Sequence, residues 1–391
     1  VNSCCSPPWG YRRVLRIPAF RRFWLGTAAS RCGGAFTAVA LSWLVLDLAG
    51  PAGLGLLLLS SGLPLLVTGP VAGRLLDRFP ARLLLGWDNA LRCALIGSVA
   101  VALAFGGTGL VHVYAVAVAS AALSSLTEVA ESALVPHLVT DDDLEHANSL
   151  LSVNWEPAYV VGPPLAGLVV GVAGTGAALV VDAASFAAMS AAGFGLPGLP
   201  TRADRPARGS AALWRFPVAL ALTAGTTGFL FPGGVVEVFY PVHAQAGGPV
   251  LYGLLLGATG VGGLCGVLVG VPLCRRLPPR WRVAAAAVAG APVFALLAVT
   301  PPGAVSVAVA GLASFLWGPY YAVERSAFQR AVPDALRGRV TGVRTALCSL
   351  GFPLGGAAGG ALLAGTPTAT AAPLIACAFG VVALVTTAVS R

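Results

Sequence analysis

Gly69-Pro-Val-Ala-Gly-Arg-Leu-Leu-Asp-Arg-Phe-Pro-Ala-Arg82 packs four charges into a short polar joint between two long apolar runs. It reads as a cytoplasmic hinge between two membrane helices. Gly69 and Gly73, four apart, leave one helix face bare, so a neighbouring helix is expected to approach the backbone there. Asp77, Arg78 and Arg82 place one acid and two bases at the membrane surface, where charges can pair without burial in lipid. On this stretch alone, an ordinary basic loop that follows topology rules is the competing reading.

The composition outside the joint agrees with a membrane setting. Of 391 residues, 57% are hydrophobic and 10% charged, and the mean hydropathy is +0.84, whereas a soluble domain carries about 25% charged residues. A membrane helix needs roughly 20 apolar residues, so the chain has room for about a dozen spans and no large soluble domain. The net charge of +9 comes from arginines in short clusters between apolar runs, not from a stripe that would suit nucleic acid. Topology explains them better.

Eight cysteines, among them Cys4, Cys5, Cys32, Cys93, Cys265 and Cys274, show no metal-ligand spacing and no disulfide framework; they read as small apolar fillers. No metal site and no cofactor are expected. The start carries Arg12, Arg13, Arg16, Arg21 and Arg22, and the apolar stretch after it is long and without a clear cleavage site. It reads as a retained first span.

Apolar runs predict helical spans at 20–48, 53–73, 82–105, 109–136, 146–172, 176–197, 216–241, 249–273, 282–300, 303–331, 341–365 and 368–390. Arginines fall on alternate connections, at Arg74/Arg78/Arg82, Arg202/Arg205/Arg208/Arg215, Arg275/Arg276/Arg280/Arg282 and Arg330/Arg337/Arg339. That asymmetry puts both termini in the cytoplasm. One inside connection, Asp141-Asp-Asp-Leu-Glu145, is acidic, which weighs little on orientation and suits a helix start.

The polar insert after the sixth span divides the chain into similar halves: 1–197, a linker at 198–215, and 216–391. A repeat is visible between them. Glu131, Val139 and Asp141 fall on Glu324, Val332 and Asp334 at a constant offset of 193, and Gly69, Gly73 and Arg78 fall on Gly266, Gly270 and Arg275. The second copy of the joint has Cys274 where the first has Asp77. The expected fold class is an all-α membrane protein with twelve transmembrane helices in two pseudo-symmetric six-helix halves.

The joint resembles the loop between spans two and three of the major facilitator superfamily, of the form G-x-x-x-D-R-x-x-R, met here by Gly73, Asp77, Arg78 and Arg82. Phe23-Trp-Leu-Gly26, Ala40-Leu-Ser-Trp-Leu-Val-Leu-Asp47, Val181-Asp-Ala-Ala-Ser-Phe186 and Val332-Pro-Asp-Ala-Leu-Arg-Gly-Arg-Val340 are similar to the subgroup of siderophore exporters and macrolide efflux proteins. The resemblance implies two six-helix bundles around a central cavity lined by the first, fourth, seventh and tenth spans. It also implies that the charges of the joint lock the inner ends of the bundles in the outward-open state. Gly162-Pro-Pro-Leu-Ala-Gly167 is similar to the glycine-proline signature of exporters in this superfamily, with Gly162, Pro163, Pro164 and Gly167 as its marked positions. In the fifth span these prolines are expected to kink the helix and the glycines to admit a neighbour. Gly and Pro are also generally frequent in membrane helices.

Ionisable residues inside spans are costly and mark candidate sites. Arg31, Glu128, Glu131 and Glu156 reach similar depths in the inner half of the first half-chain, so Arg31 is expected to pair with one or more of these glutamates. A carboxylate that stays ionised beside an arginine until the two separate is a proton-linked switch; a permanent structural ion pair is the alternative. With three acids for one arginine, a spare acid is expected, Glu128 or Glu131. Glu324 and Arg325 read as gate or loop anchors. Asp88 and Arg92, four apart on one helix face, read as a structural pair near the joint, with Asp88 able to meet Arg78 or Arg82. Glu237, followed by Tyr240 and His243, suits either a proton entry from outside or a hydrated helix end. The family often carries an aspartate after Gly33, where this chain has Gly34, so coupling through a carboxylate at that site is excluded.

Candidate substrate contacts are Phe36, Trp43, Tyr114, Asn154, Trp155, Tyr159, Phe229, Phe239, Tyr240, Trp317, Tyr320 and Tyr321, because rings with a few amides suit large amphipathic molecules. Some of these rings are equally suited to anchoring at the interface. The expected function is a secondary transporter, not an enzyme, that exports a small amphipathic organic molecule such as a drug, antibiotic or siderophore-like metabolite in exchange for protons. Its expected partners are that molecule, protons and the bilayer of the inner or plasma membrane, with the chain a monomer. The sequence has no phosphate-binding loop, which excludes ATP as the direct energy source. An importer or uncoupled facilitator is the alternative within transport. A membrane enzyme or receptor would need a nucleophile-base set, a metal cluster or a receptor domain, none of which the sequence offers.

Overall fold

A computed structural model describes residues 9–197 and 213–389, and every regular element among them is helical. In chain order these are α1 (Trp9–Arg16), α2 (Pro18–Gly62), α3 (Pro64–Leu76), α4 (Ala81–Ala104), α5 (Leu110–Leu138), α6 (Leu144–Val153), α7 (Trp155–Val160), α8 (Gly162–Phe194), α9 (Pro217–Ala244), α10 (Gly248–Cys274), α11 (Pro279–Val288), α12 (Ala291–Ala295), α13 (Ala304–Trp317), α14 (Pro319–Ala331), α15 (Asp334–Cys348), α16 (Gly351–Gly365) and α17 (Thr368–Val389). Eight helical stretches among the described residues are long and apolar enough to cross a membrane. The molecule is an all-α, multi-pass membrane protein.

The predicted ends at 82–105 and 109–136 lie within a few residues of α4 and α5. Elsewhere the connections are sharper than loops. At Gly50 (φ 66°, ψ −169°) and Gly174 (φ 85°, ψ 167°) the backbone leaves helical geometry inside α2 and α8, and Gly248 (φ 78°) separates α9 from α10. Side chains other than glycine rarely adopt that conformation, so single residues break the helical geometry there.

Several of the predicted spans are interrupted. The predicted fifth span consists of α6, α7 and the first part of α8, and the ninth, tenth and eleventh are likewise divided. Prolines at helix starts give the reason. Pro163 and Pro164 sit in the first turn of α8, and Pro292 and Pro319 open α12 and α14, positions where the missing N–H costs no hydrogen bond. The prolines of the Gly162–Gly167 motif therefore begin a helix and do not kink the middle of one. Side chains satisfy backbone carbonyls next to such breaks: the Trp317 indole donates to Ala287 O at 3.0 Å, one residue before α11 ends, as a low-dielectric setting demands.

The residues cluster into two compact units, one of 1–40 and 67–204, the other of 41–66 and 205–391. In the first, α4 packs along α8 and α5, and a core of Phe20, Phe23, Leu85, Leu134, Val135 and Met189 takes in Val14 of the amphipathic α1. Helix α1 is further clamped to the α5–α6 turn. Arg13 donates to the Asp143 carboxylate through Nε at 2.9 Å and through Nη2, and Tyr11 meets His146 edge-on with centroids 5.1 Å apart. The bond from Arg13 holds the Asp143 carboxyl below the usual aspartate range.

In the second unit, α9 packs on α16 and α10 on α13. A Cβ on Gly355 would strike Phe231 O, and one on Gly234 would strike Phe352 O. The backbones are therefore in direct contact, the arrangement that drives helix association where there is no water to exclude. Segment 41–66 belongs to this unit: the Cα of Gly360 lies 2.8 Å from where Gly55 would carry a Cβ. The close approach expected at Gly73 is not made, since nothing among the described residues lies within 4 Å of its Cβ position. The side chain positions of residues 69 and 70, like residues 198–212 of the predicted linker, lie outside the described residues.

Candidate functional site

The first unit brings Arg31 and Glu131 together. Arg31 on α2 donates Nη2 to Glu131 Oε2 on α5 at 3.1 Å, and Thr27, one turn before Arg31, lies 3.4 Å from Glu131 Oε1. The side chains are 17% and 14% exposed, so the pair is shielded but not sealed. Arg31 also donates Nη1 to Leu151 O at 2.9 Å. That carbonyl lies in the last turn of α6, whose helix ends at Asn154, and it also accepts the Asn154 N–H at 3.2 Å. The Trp24 indole takes the neighbouring Leu150 O at 2.9 Å, and Asn154 Nδ2 returns a bond to Trp24 O at 3.2 Å. A cation at a helix C-terminus is favoured by the dipole, so among the described residues Arg31 has two seats: a carboxylate on α5 and a carbonyl at the end of α6.

Glu128, one turn from Glu131, is exposed and makes no ion pair among the described residues. The side chains of Glu156 and Trp155 lie outside the described residues. Asp88 and Arg92 are not bonded to each other. Asp88 accepts from Thr127 on α5, while Arg92 donates Nε to Ser120 Oγ at 3.2 Å and lies 4.1 Å over the Phe186 ring. Neither does Asp88 meet the joint, because it faces into the helix packing, 1% exposed. Arg82 instead donates to Leu196 O at 3.2 Å, tying the joint to the end of α8, whereas Asp77 and Arg78 are exposed.

Asp182 on α8 is fully buried, bonds Ser185, and lies 2.5 Å from where Gly33 would carry a Cβ. A buried acid thus lies against α2 next to the place where this chain lacks its own. The signal for it was visible, an aspartate in an apolar run. In the Gly162 motif, a Cβ on Gly162 would lie 2.7 Å from the Ala35 Cβ, while Pro163 and Gly167 are buried and Pro164 partly so.

In the second unit, Glu324 is bonded by Arg344 at 2.5 Å, a partner the sequence reading missed, and Arg325 is exposed. The aromatic candidates there gather into one cluster. Phe229 stacks on Tyr320 at 3.8 Å and meets Trp317 and Tyr321 edge-on, and Phe239 and Tyr240 pack about Phe294. Phe229, Phe239, Tyr240 and Tyr320 are buried, so these rings fill the interior of the unit; Tyr321 is half exposed. Trp43 stacks with Tyr252, Phe36 is buried, Asn154 is engaged with Trp24, Tyr159 is exposed and Tyr114 is partly buried.

A helical membrane chain with an arginine-carboxylate pair at an interrupted helix invites comparison with known transporters. The sequence profile of the family described as transmembrane secretion effector matches residues 12–391. The chain belongs to this family of the major facilitator superfamily. It is similar to the multidrug efflux pump Tap of Mycobacterium tuberculosis, 29% identical over 371 residues that cover 88% of this chain and 86% of the relative. Tap of Mycolicibacterium fortuitum is 26% identical, covering 83% and 84%. Among solved structures, the nucleoside transporter NupG shares the fold at a TM-score of 0.76, with 15% identity and coverage of 95% and 99%. A bacterial homologue of the iron transporter ferroportin, captured inward-facing, shares it at 0.67, with 18% identity and coverage of 96% and 98%. These relatives are transporters and not enzymes, and the chain has the fold of secondary transporters of small molecules.

Proposed function

We propose that this family member is a proton-coupled exporter of a small amphipathic organic molecule, a drug, antibiotic or siderophore-like metabolite, working by alternating access. The observation that carries the proposal is the Arg31–Glu131 pair with its second seat at Leu151 O. While Glu131 is ionised, it and the helix end hold Arg31 together. A proton on Glu131 removes the Coulombic part of the bond, and Arg31 then rests on the α6 carbonyl without becoming a bare buried charge. Loading a proton can therefore shift helices α2, α5 and α6 relative to one another within the unit.

Export is favoured by the similarity to multidrug efflux pumps and by the close packing of Gly162 on α2. We assign twelve spans in two six-helix bundles, 1–197 and 216–391, joined by a cytoplasmic linker at 198–215. The glycine breaks at 50, 174 and 248 support this by dividing the longest helical stretches. The arginine asymmetry supports cytoplasmic termini in a monomer of the inner or plasma membrane. Gating is assigned to Gly73, Asp77, Arg78 and Arg82, with Glu324 and Arg325 at the corresponding end of the second half. Substrate contact is assigned to the accessible rings, Tyr159, Trp317 and Tyr321, before the buried ones.

The test is accumulation of a panel of amphipathic dyes and antibiotics by inside-out vesicles that contain the protein. Accumulation that stops when the pH gradient is collapsed is expected. Accumulation indifferent to the gradient would overturn proton coupling.

A further inference from the structure

Glu131 and Glu324 stand 193 positions apart, at the offset that also relates Val139 to Val332 and Asp141 to Asp334. Each is approached by a threonine from the first helix of its half: Thr27 lies nine residues after Pro18 in α2, and Thr226 nine after Pro217 in α9. Each is bonded by an arginine. The arginines, however, come from different helices. In the first unit Arg31 is on α2 and reaches across to Leu151 O on α6; in the second, Arg344 is on α15 and reaches back to Thr226 Oγ1 on α9 at 3.4 Å. Leu151 and Arg344 are themselves 193 apart. The same carboxylate-threonine-arginine triangle is thus built twice, with the arginine supplied from opposite corners.

The triangle is reached by two different routes, each ending on a buried or largely buried carboxylate. The second copy also shows what the first does not. Glu324 is 1% exposed, and among the described residues its Oε1 has no hydrogen-bond partner and Arg344 Nε has none either. An unfilled acceptor on a buried carboxylate is a costly feature that asks for a reason. Arg344 has its own neutral seat, with its guanidinium carbon 4.4 Å over the Phe328 ring and its Nη2 near Thr226, a cation–π contact that can hold the charge when the carboxylate lets go.

Accepting proton exchange at Glu131 as proposed above, we infer that Glu324 is a second proton-carrying site, one in each unit, with Arg344 as its counter-charge. A proton from the aqueous phase adds to the open Oε1, the carboxylate becomes a neutral acid, and Arg344 settles on Phe328 and Thr226. No bond other than the new O–H forms. Among the described residues, Arg344 is the charged group acting on Glu324. Among the described residues the other titratable neighbours are Cys348 on α15 and Tyr320 on its own helix, and α9 presents the Thr226 hydroxyl.

The experiment is pH-difference infrared spectroscopy in the carboxylic C=O region on the full chain in lipid nanodiscs, which needs no transported compound. Glu324→Gln is expected to remove one component that Glu131→Gln leaves in place, and Glu131→Gln to remove another that Glu324→Gln leaves. Arg344→Met gives an independent reading should Glu324→Gln fail to fold. Without its counter-charge the buried Glu324 stays neutral across the range, so its component leaves the difference spectrum while that of Glu131 persists. A Glu324→Gln or Arg344→Met spectrum that superimposes on wild type overturns the second site. Loss of a component in Glu131→Gln alone leaves the proposed function standing and removes this extension. A Glu131→Gln spectrum identical to wild type, with the Glu324 component lost in its own variant, overturns the role of Glu131 and keeps the second site.

Discussion

The two seats of Arg31 make an asymmetric expectation for the two halves of its ion pair. An exposed pair contributes about 0–1 kcal/mol, and breaking a buried pair from one side costs about 3–5 kcal/mol. With side chains 17% and 14% exposed, the Arg31–Glu131 pair belongs between these limits. In Arg31→Met, Glu131 keeps only the Thr27 hydroxyl at 3.4 Å as its described hydrogen-bond partner, and Leu151 O loses the guanidinium. The expected loss is about 2–3 kcal/mol, from a largely buried charge without its counter-ion, Leu151 O keeping only the Asn154 N–H. In Glu131→Gln, Arg31 keeps Leu151 O at 2.9 Å, and the amide oxygen can still accept its Nη2. The expected loss there is about 1 kcal/mol. Unfolding in mixed micelles of mild detergent and SDS, followed by tryptophan fluorescence, resolves a difference of that size. The double variant should lose less than the sum of the singles, because the pair is removed together. If Glu131→Gln costs as much as Arg31→Met or more, the helix-end seat does not hold Arg31 and the switch argument fails.

Other expectations are independent of that pair. Asp77→Asn should reduce transport much more than Cys274→Ser, because the first joint keeps its acid and the second has only bases; equal effects in vesicle transport would remove the gate from the first joint. Gly355→Val places methyl groups against Phe231 O where the α9 and α16 backbones touch, and should cost about 1–3 kcal/mol or more by overpacking, whereas Gly73→Ala, whose Cβ would meet nothing within 4 Å among the described residues, should be nearly silent in the same unfolding assay. The clamp on α1 should depend on pH. Because the Asp143 carboxyl titrates lower when folded, its contribution is fully present above the ordinary aspartate pKa of about 3.9 and disappears as pH falls through the lower folded value. Hydrogen exchange of α1 amides should therefore be protected near neutrality and lose protection only in strong acid. Asp143→Asn should lose that protection at neutral pH.

The all-α, multi-pass membrane character was legible because a membrane imposes a coarse, strong signal: long apolar runs with few charges between them. Arg31 with Glu131 was legible for a related reason, since an ionised side chain at that depth needs a partner and depth can be counted along a helix. Arg344 was hidden because it follows Arg337 and Arg339 and reads as one more topological charge, though it lies about one to two turns deeper in its span than those two. Rotation about the helix axis was the other blind spot. Aromatic residues such as Phe229 and Tyr320 occupy spans expected to line a cavity, yet their faces turn into the unit interior, and a helix uniformly apolar on all sides carries no periodicity that would say so. The divisions of the fifth and tenth spans were marked by proline, but whether a proline kinks a helix or starts a new one depends on which turn it occupies, and that is set by packing.

The central claim is that Glu131 carries a proton coupled to movement of the exported molecule. Purified protein should be reconstituted in liposomes with a pH-sensitive dye inside, and a transported compound from the vesicle panel added outside. Wild type is expected to move protons against the compound, and Glu131→Gln to exchange the compound across the membrane with that proton movement lost. Proton movement in Glu131→Gln equal to wild type, at equal exchange, would contradict the account.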